Sequence, residues 1–251
     1  MAKTCDPSLL AAEASSRMLP IGDVNRSRTV PVVTYALVAA NGAVHLAQMV
    51  YPGGAQAFVF RYGLVPAVVY SPEAWQFDAG GAVLPLLSFM FVHGSWGHLL
   101  SNMLFLWVFG DNVEDRMGHL RYLMFYLVCG LASGVGFSIL NIHSEVPLVG
   151  ASGAIAGVLG SYIILFPGAR IRTLIPLLFL FFTVVEIPAV IFLGLWFVLQ
   201  VLNSMAGGIA GGGVAWFAHV FGFVVGFWMT RVWFSRRPRR RAEPNYRVWV
   251  D

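Results

Sequence analysis

Apolar residues in this chain run together in blocks, and polar or glycine- and proline-rich stretches separate the blocks. Crossing a bilayer takes about 20 predominantly apolar residues in a helix. On that measure the pattern predicts six spans, at residues 30–50, 96–110, 122–140, 150–167, 173–203 and 214–234. The second is short, with room for a start one or two turns earlier. The fifth is long for a single crossing, so it is read as tilted or partly interfacial, with a kink at Glu186-Ile187-Pro188. Residues 51–92 are aromatic and apolar (Phe58, Phe60, Tyr62, Tyr70, Trp75, Phe77) but are broken by Pro52, Pro66, Pro72 and several glycines. Too interrupted to span and too apolar for a solvated loop, they are predicted to lie in the membrane interface. Polar Asp111–Arg116 and glycine-rich 206–213 are predicted loops, the latter a flexible cap before the sixth span.

The fold class that follows is an all-α membrane protein, a six-transmembrane-helix bundle with a long interfacial first loop. Residues 1–29 form a cytoplasmic N-terminal tail with a short helix around Leu9–Met18, 30–234 the six-span domain, and 235–251 a basic cytoplasmic C-terminal tail. Composition agrees: 58% of the residues are hydrophobic and 11% charged, against roughly 25% charged in soluble domains. Six spans put both ends on one side, and with both inside, every Lys and Arg except Arg61 is cytoplasmic, as the positive-inside rule requires. The net charge of +4 comes mostly from Arg236–Arg241; a basic run directly after a span reads as a membrane anchor rather than a nucleic-acid patch. No cleavable leader is expected from the polar first 29 residues, and two cysteines in different settings give neither a disulfide framework nor a metal site.

Against this background the few polar residues inside spans carry the candidate chemistry. Ser152 opens the fourth span within Gly150-Ala151-Ser152-Gly153, followed by Gly157. Taken alone, this stretch has two readings: small residues for close helix packing, or a nucleophile at a helix N-terminus. His219 sits about 7 Å into the sixth span, at 1.5 Å rise per residue. His93, His98 and Asn102 surround the start of the second span. The topology puts the starts of the second, fourth and sixth spans at one level on the outer side. Gly153 and Gly157 make one small-residue ridge and Gly222 and Gly226 another, so the fourth and sixth helices are expected to pack closely. Ser152 and His219 then meet as nucleophile and base. His98 and Asn102, at i and i+4, share a face and can donate to an oxyanion. No acid is positioned to orient His219. Glu186 is expected at the interface or in a wet cavity, His119 in solvent, and His45 and His143 are given no role.

The segments His93–Asn102 (His-x4-His-x3-Asn), Gly150–Gly153 and Ala218–Gly222 resemble, in order and spacing, those of the rhomboid family of intramembrane serine proteases. The resemblance implies a Ser–His dyad at Ser152 and His219, oxyanion assistance by His98 and Asn102, a first loop lying sideways in the membrane, and no metal or cofactor. Gly150, Gly153, Gly157, Gly222, Gly226 and His93 are expected to support the site. One departure stands out: many members carry Trp-Arg in the first loop, and Trp75 here has no Arg beside it. Expected partners are the lipid bilayer and transmembrane protein substrates with helix-destabilising residues, with no nucleic acid; the expected location is a bacterial inner membrane. A channel or transporter, or a non-catalytic binder of membrane proteins, are the rival readings of the same residues. His-Glu-x-x-His is absent, which disfavours a metalloprotease. No aspartate lies inside a predicted span, which disfavours an aspartyl protease.

Overall fold

The structure, a computed structural model, describes residues 19–25, 27–178, 181–210 and 216–234. The expected Leu9–Met18 helix, the C-terminal tail and Gly211–Gly213 lie outside the described residues. Six long helices dominate: α1 (Val32–Met49), α2 (Trp96–Met117), α3 (His119–Leu140), α4 (Ser152–Leu165), α5 (Ala189–Ala210) and α6 (Trp216–Phe234). By length and composition, α1 and α3 suffice to cross a membrane, whereas the apolar helix α4 and the segment 189–202 are shorter.

Side-chain neighbours show that successive helices alternate in direction. His45 of α1 meets the Trp96 ring at the start of α2, while Thr34 at the other end of α1 bonds Glu114 near the end of α2. Along α3 and α4, Ser133 faces Gly153 and Cys129 faces Gly157. Gln200 and Phe197 of α5 face His219 and Phe223 of α6. In consequence α2, α4 and α6 run parallel and start at one end of the bundle.

Helix α4 lies at the centre, and glycine sets how near α6 comes to it. A methyl group on Gly222 would overlap the Gly153 carbonyl, and one on Gly226 the Gly157 carbonyl. The two backbones therefore touch directly, which only a missing Cβ permits. Farther along, Thr230 Oγ1 donates to Ser161 Oγ at 2.9 Å, fully buried.

Polarity is distributed as in lipid rather than in water. Leu100, Trp107, Leu120, Ile191 and Trp228 are exposed, while Thr34, Asn41, His45, Gln48, Ser133 and Ser161 are buried. A water-soluble domain would expose its charged and polar residues and cover such an apolar surface.

Three corrections to the sequence reading concern secondary structure. First, the protein is not all-α. Strands β1 (Leu19–Asp23), β2 (Arg170–Leu178) and β3 (Phe181–Pro188) form an antiparallel sheet in the order β1-β2-β3. The stretch read as the front of the fifth span is thus a hairpin, with Ile171 opposite Ile187 and Leu174 opposite Val184. Hydropathy does not separate an apolar strand from an apolar helix. The β-branched residues Ile171, Thr173, Ile175, Thr183, Val184, Val185 and Ile187 decide it, because their stiff side chains favour the pleated sheet. Pro188 does not kink a helix; it immediately precedes one, where a missing N–H costs nothing. Glu186 accordingly lies on β3 opposite Arg172, half-exposed, with 3.8 Å between the charged groups. Second, Asp111–Arg116 is not a loop but the last turns of α2. Third, the glycine-rich cap before the sixth span is helical as far as Ala210.

Between α1 and α2 the chain forms five short helices, Gly54–Tyr62, Pro66–Val69, Pro72–Phe77, Ala79–Val83 and Pro85–Ser88, and a 3-10 turn at Phe89–Phe91. Proline opens three of them, its fixed φ suiting the first turn. Asp78 caps a fourth through Gly81 N–H at 2.8 Å and pairs with Arg61 at 3.0 Å; that hydrogen bond holds its carboxyl below the usual range. Leu64 and Leu148 exchange backbone hydrogen bonds of 2.9 and 2.8 Å, tying this segment to the turn that leads into α4.

At the end of the bundle where α2 and α4 finish, polar groups close on one another. The buried Glu114 carboxylate accepts from Val33 N–H, Thr34 N–H and Thr34 Oγ1, so it caps the start of α1. His119 Nδ1 lies 2.6 Å from Oε1, the carboxylate oxygen that also accepts from Val33 N–H. Asp23 accepts from Asn112 at 3.0 Å and from the Tyr162 hydroxyl, which joins β1 to α2 and α4. Burial raises the Asp23 carboxyl above its ordinary range. Asp111, beyond the apolar part of α2, is pushed up to about 6, chiefly by burial and also by nearby Asp23.

Candidate active site

The opposite end of the bundle assembles the residues singled out from the sequence. Gly150 adopts φ 121°, the left-handed region that favours glycine, and its N–H bonds Phe89 O at 2.9 Å. The chain then turns into α4 with Ser152 as its first residue and Ala151 before it, without a side-chain cap. The first N–H groups of the helix are left without an intrahelical acceptor.

Ser152 Oγ lies 2.7 Å from His219 Nε2 on α6. The contact is partly buried. The other imidazole nitrogen, Nδ1, lies 2.7 Å from Gln200 Oε1 on α5. An amide oxygen accepts and cannot donate, so in the neutral ring Nδ1 carries the proton. Nε2 then presents its lone pair to the Ser152 hydroxyl, which donates. The ring also lies beside Trp196, at 6.1 Å between centroids, and Trp216, at 5.9 Å.

Helix α2 brings the third side of the site. Ser95 caps it by accepting from His98 N–H at 3.2 Å. One turn separates His98 from Asn102, and both reach Gly150. A Cβ at that glycine would stand 2.8 Å from His98 Nε2 and 3.5 Å from Asn102 Nδ2. Two donors thus converge on the backbone just ahead of Ser152. Asn102 Nδ2 lies 2.9 Å from His93 Nε2, and His93 Nδ1 lies 3.3 Å from Phe91 O. With Nδ1–H donating to that carbonyl, His93 accepts from Asn102 and orients it. Gln48 of α1 donates to His93 O at 3.0 Å, and the His93 and His98 rings meet edge to face at 5.0 Å.

Ser152, His219, His98, Asn102 and His93 therefore share one site, with Gly150 under it and Gly153, Gly157, Gly222 and Gly226 in the adjoining helix contact. Glu186, His119 and His143 are not among its contacts. His45 stands at its edge, buried, with neither ring nitrogen hydrogen-bonded among the described residues. Gln200 is the residue the sequence reading passes over. Its signal was a glutamine inside the apolar segment 189–202, one turn after Trp196. Chemically, the arrangement offers a hydroxyl bonded to an imidazole, next to two side-chain donors and a helix N-terminus. Acyl transfer needs those parts.

Comparison with known proteins agrees with the motif reading. The family model described as the Rhomboid domain matches residues 80–236. RHOMBOID-like protein 4 of Arabidopsis thaliana is 31% identical over 189 residues, covering 72% of this chain and 41% of that protein. Rhomboid protein 1, mitochondrial, of Saccharomyces cerevisiae is 29% identical over 192 residues, covering 67% of this chain and 51% of its own length. A shorter match, 38% over 76 residues, links 30% of this chain to 14% of Rhomboid protease GluP of Bacillus subtilis. The chain spans about half the length or less of these relatives. With more than half of its residues inside the family match and the motif-bearing helices around one site, the chain belongs to the rhomboid family of integral membrane proteins.

Proposed function

We propose that the chain is an intramembrane serine endopeptidase. It hydrolyses peptide bonds in or next to transmembrane segments of other membrane proteins. The observation that carries the reading is the 2.7 Å contact between Ser152 Oγ and His219 Nε2, which is within reach for proton transfer. His219 takes the hydroxyl proton as Oγ attacks the carbonyl carbon. The oxyanion is held by His98, Asn102 and the Ser152 N–H. His219 then passes its proton to the leaving amine as the C–N bond breaks. His219 then takes a proton from water as its oxygen attacks the acyl carbon; the bond to Ser152 Oγ breaks, the product acid leaves, and His219 returns the proton to Oγ. The scheme calls for no metal or cofactor.

The membrane reading draws six spans from the apolar parts of α1 to α6, α2 contributing only as far as Gly110. Their alternating directions support it, as do the apolar exposed surface and the positive charges gathered at one end of the sequence-derived topology. Residues 51–92 then lie in the interface, and the chain ends on both sides of 30–234 are cytoplasmic tails. Relatives named for mitochondria and found in bacteria share the family, so membership does not single out a bacterial inner membrane. Ser152 and His219, at the starts of α4 and α6, are shallow enough to meet water. A substrate helix has to unwind there, exposing backbone groups that cost several kcal/mol each in lipid, so helix-weakening Gly or Pro near the cut is expected.

The test is cleavage of a single-span substrate with such a Gly-Pro site, in liposomes containing purified protein. Cleavage by wild type, with Ser152→Ala and His219→Ala slower by about a thousandfold or more, is the expected result. An intact substrate with wild type, or cleavage that survives Ser152→Ala, favours a non-catalytic binder and overturns the proposal.

A further inference from the structure

The side chain behind His219 is an uncharged amide that takes no part in the proton transfers themselves. Gln200 is 3% exposed, and its Oε1 faces His219 Nδ1 at 2.7 Å. It stands on α5, whose Phe197 stacks on Phe223 of α6 at 4.3 Å and whose Trp196 lies against His219 and Phe223. The amide is thus anchored by packing that ties α5 to the helix bearing the imidazole. We infer that Gln200 is a positioning residue, which fixes the His219 tautomer and ring orientation so that the Nε2 lone pair addresses Ser152. The inference rests on the protease reading above.

Two physical consequences separate Gln200 from a side chain that merely fills space. An imidazole without an acceptor at Nδ1 can carry its single proton on either nitrogen, and only one tautomer activates the serine. A neutral acceptor also differs from a carboxylate. It orients the ring at the small desolvation cost of an amide, but it does not neutralise the imidazolium formed during reaction. A negative charge at this position would make His219 more basic. The groups facing His219 are Ser152 on α4, Gln200 and Trp196 on α5 and Trp216 on its own helix. His98 on α2 is the titratable side chain acting on it through space.

The experiment follows the pH dependence of fluorophosphonate labelling for purified wild type, Gln200→Leu and Gln200→Glu, with Ser152→Ala as baseline. Thermal unfolding of each variant is measured alongside. Gln200→Leu is expected to label about 10- to 100-fold more slowly than wild type. Gln200→Glu keeps an acceptor, so it is expected to label well, with its acid limb about one pH unit higher. If Gln200→Leu does not fold, the limb of Gln200→Glu decides alone. A leucine variant that labels at the wild-type rate, or a glutamate variant with an unmoved limb, overturns the inference and leaves the protease reading standing. Wild type that does not label at all removes both.

Discussion

The two ends of helix α4 are both polar and both draw on neighbouring helices, yet they are built differently. At the far end Glu114, Thr34, His119, Asp23, Asn112 and Tyr162 satisfy one another, and each strong acceptor meets several donors. At the near end the chain of bonds runs from Gln200 to His219 to Ser152 and stops at a hydroxyl, with His98 and Asn102 aimed at the backbone beside it. Buried polarity by itself does not mark chemistry in a membrane protein. A closed network holds helices together, whereas a relay that ends at a hydroxyl, with further polar side chains beside it, is built to act on something else.

Breaking the helix contact on which the near end depends gives the largest effect. Gly222→Val forces side-chain atoms into the Gly153 carbonyl. It is expected to lower probe labelling at least about 100-fold and to lower the melting temperature as well. Next, His98→Ala removes one donor at the near end. Cleavage is expected to fall about 100-fold through kcat, with thermal stability close to wild type. Glu114→Gln tests the far end and should do the reverse. Its amide cannot accept from every donor now on the carboxylate, so the melting temperature should drop by several degrees. Cleavage per folded molecule should stay within about twofold. A large kcat effect from Glu114→Gln would erase the distinction between the two ends.

The smallest effect is one of pH. A carboxyl raised by folding favours the native state fully below its unfolded pKa, and that contribution is lost as pH rises through the folded value. For Asp111 the window runs from 3.8 to about 6. Asp111→Asn should therefore flatten the fall in melting temperature across this range and gain about 2–4 °C at pH 7. An identical pH profile in wild type and variant would contradict the burial assigned to Asp111.

Much of the near end could be read from residue types and spacing. Ser152, His219, His98 and Asn102 are polar groups in apolar blocks, where a side chain needs a reason, and the glycine ridges 153/157 and 222/226 announce a close contact. The far end could not be read this way. Asp23 and Asn112 sit in stretches polar enough to pass for tail and loop, and their partner Tyr162 hides in a span. Hydropathy does not reveal the β2–β3 hairpin, because apolar strands and helices look alike to it, whereas the β-branched density of 171–187 does. Gln200 escaped for a different reason. An uncharged amide in an apolar run is as easily a packing hydrogen bond as a partner for a base, and only the fold sets it against Nδ1 of His219.

The central claim is that contact between α4 and α6 turns Ser152 into a nucleophile with His219 as its base. It is tested most directly by treating the purified protein with a fluorophosphonate and mapping the adduct by mass spectrometry. The account predicts a single phosphonylated serine, Ser152, in wild type and none in folded His219→Ala. An unmodified Ser152 in wild type, or equal modification in His219→Ala, would contradict it.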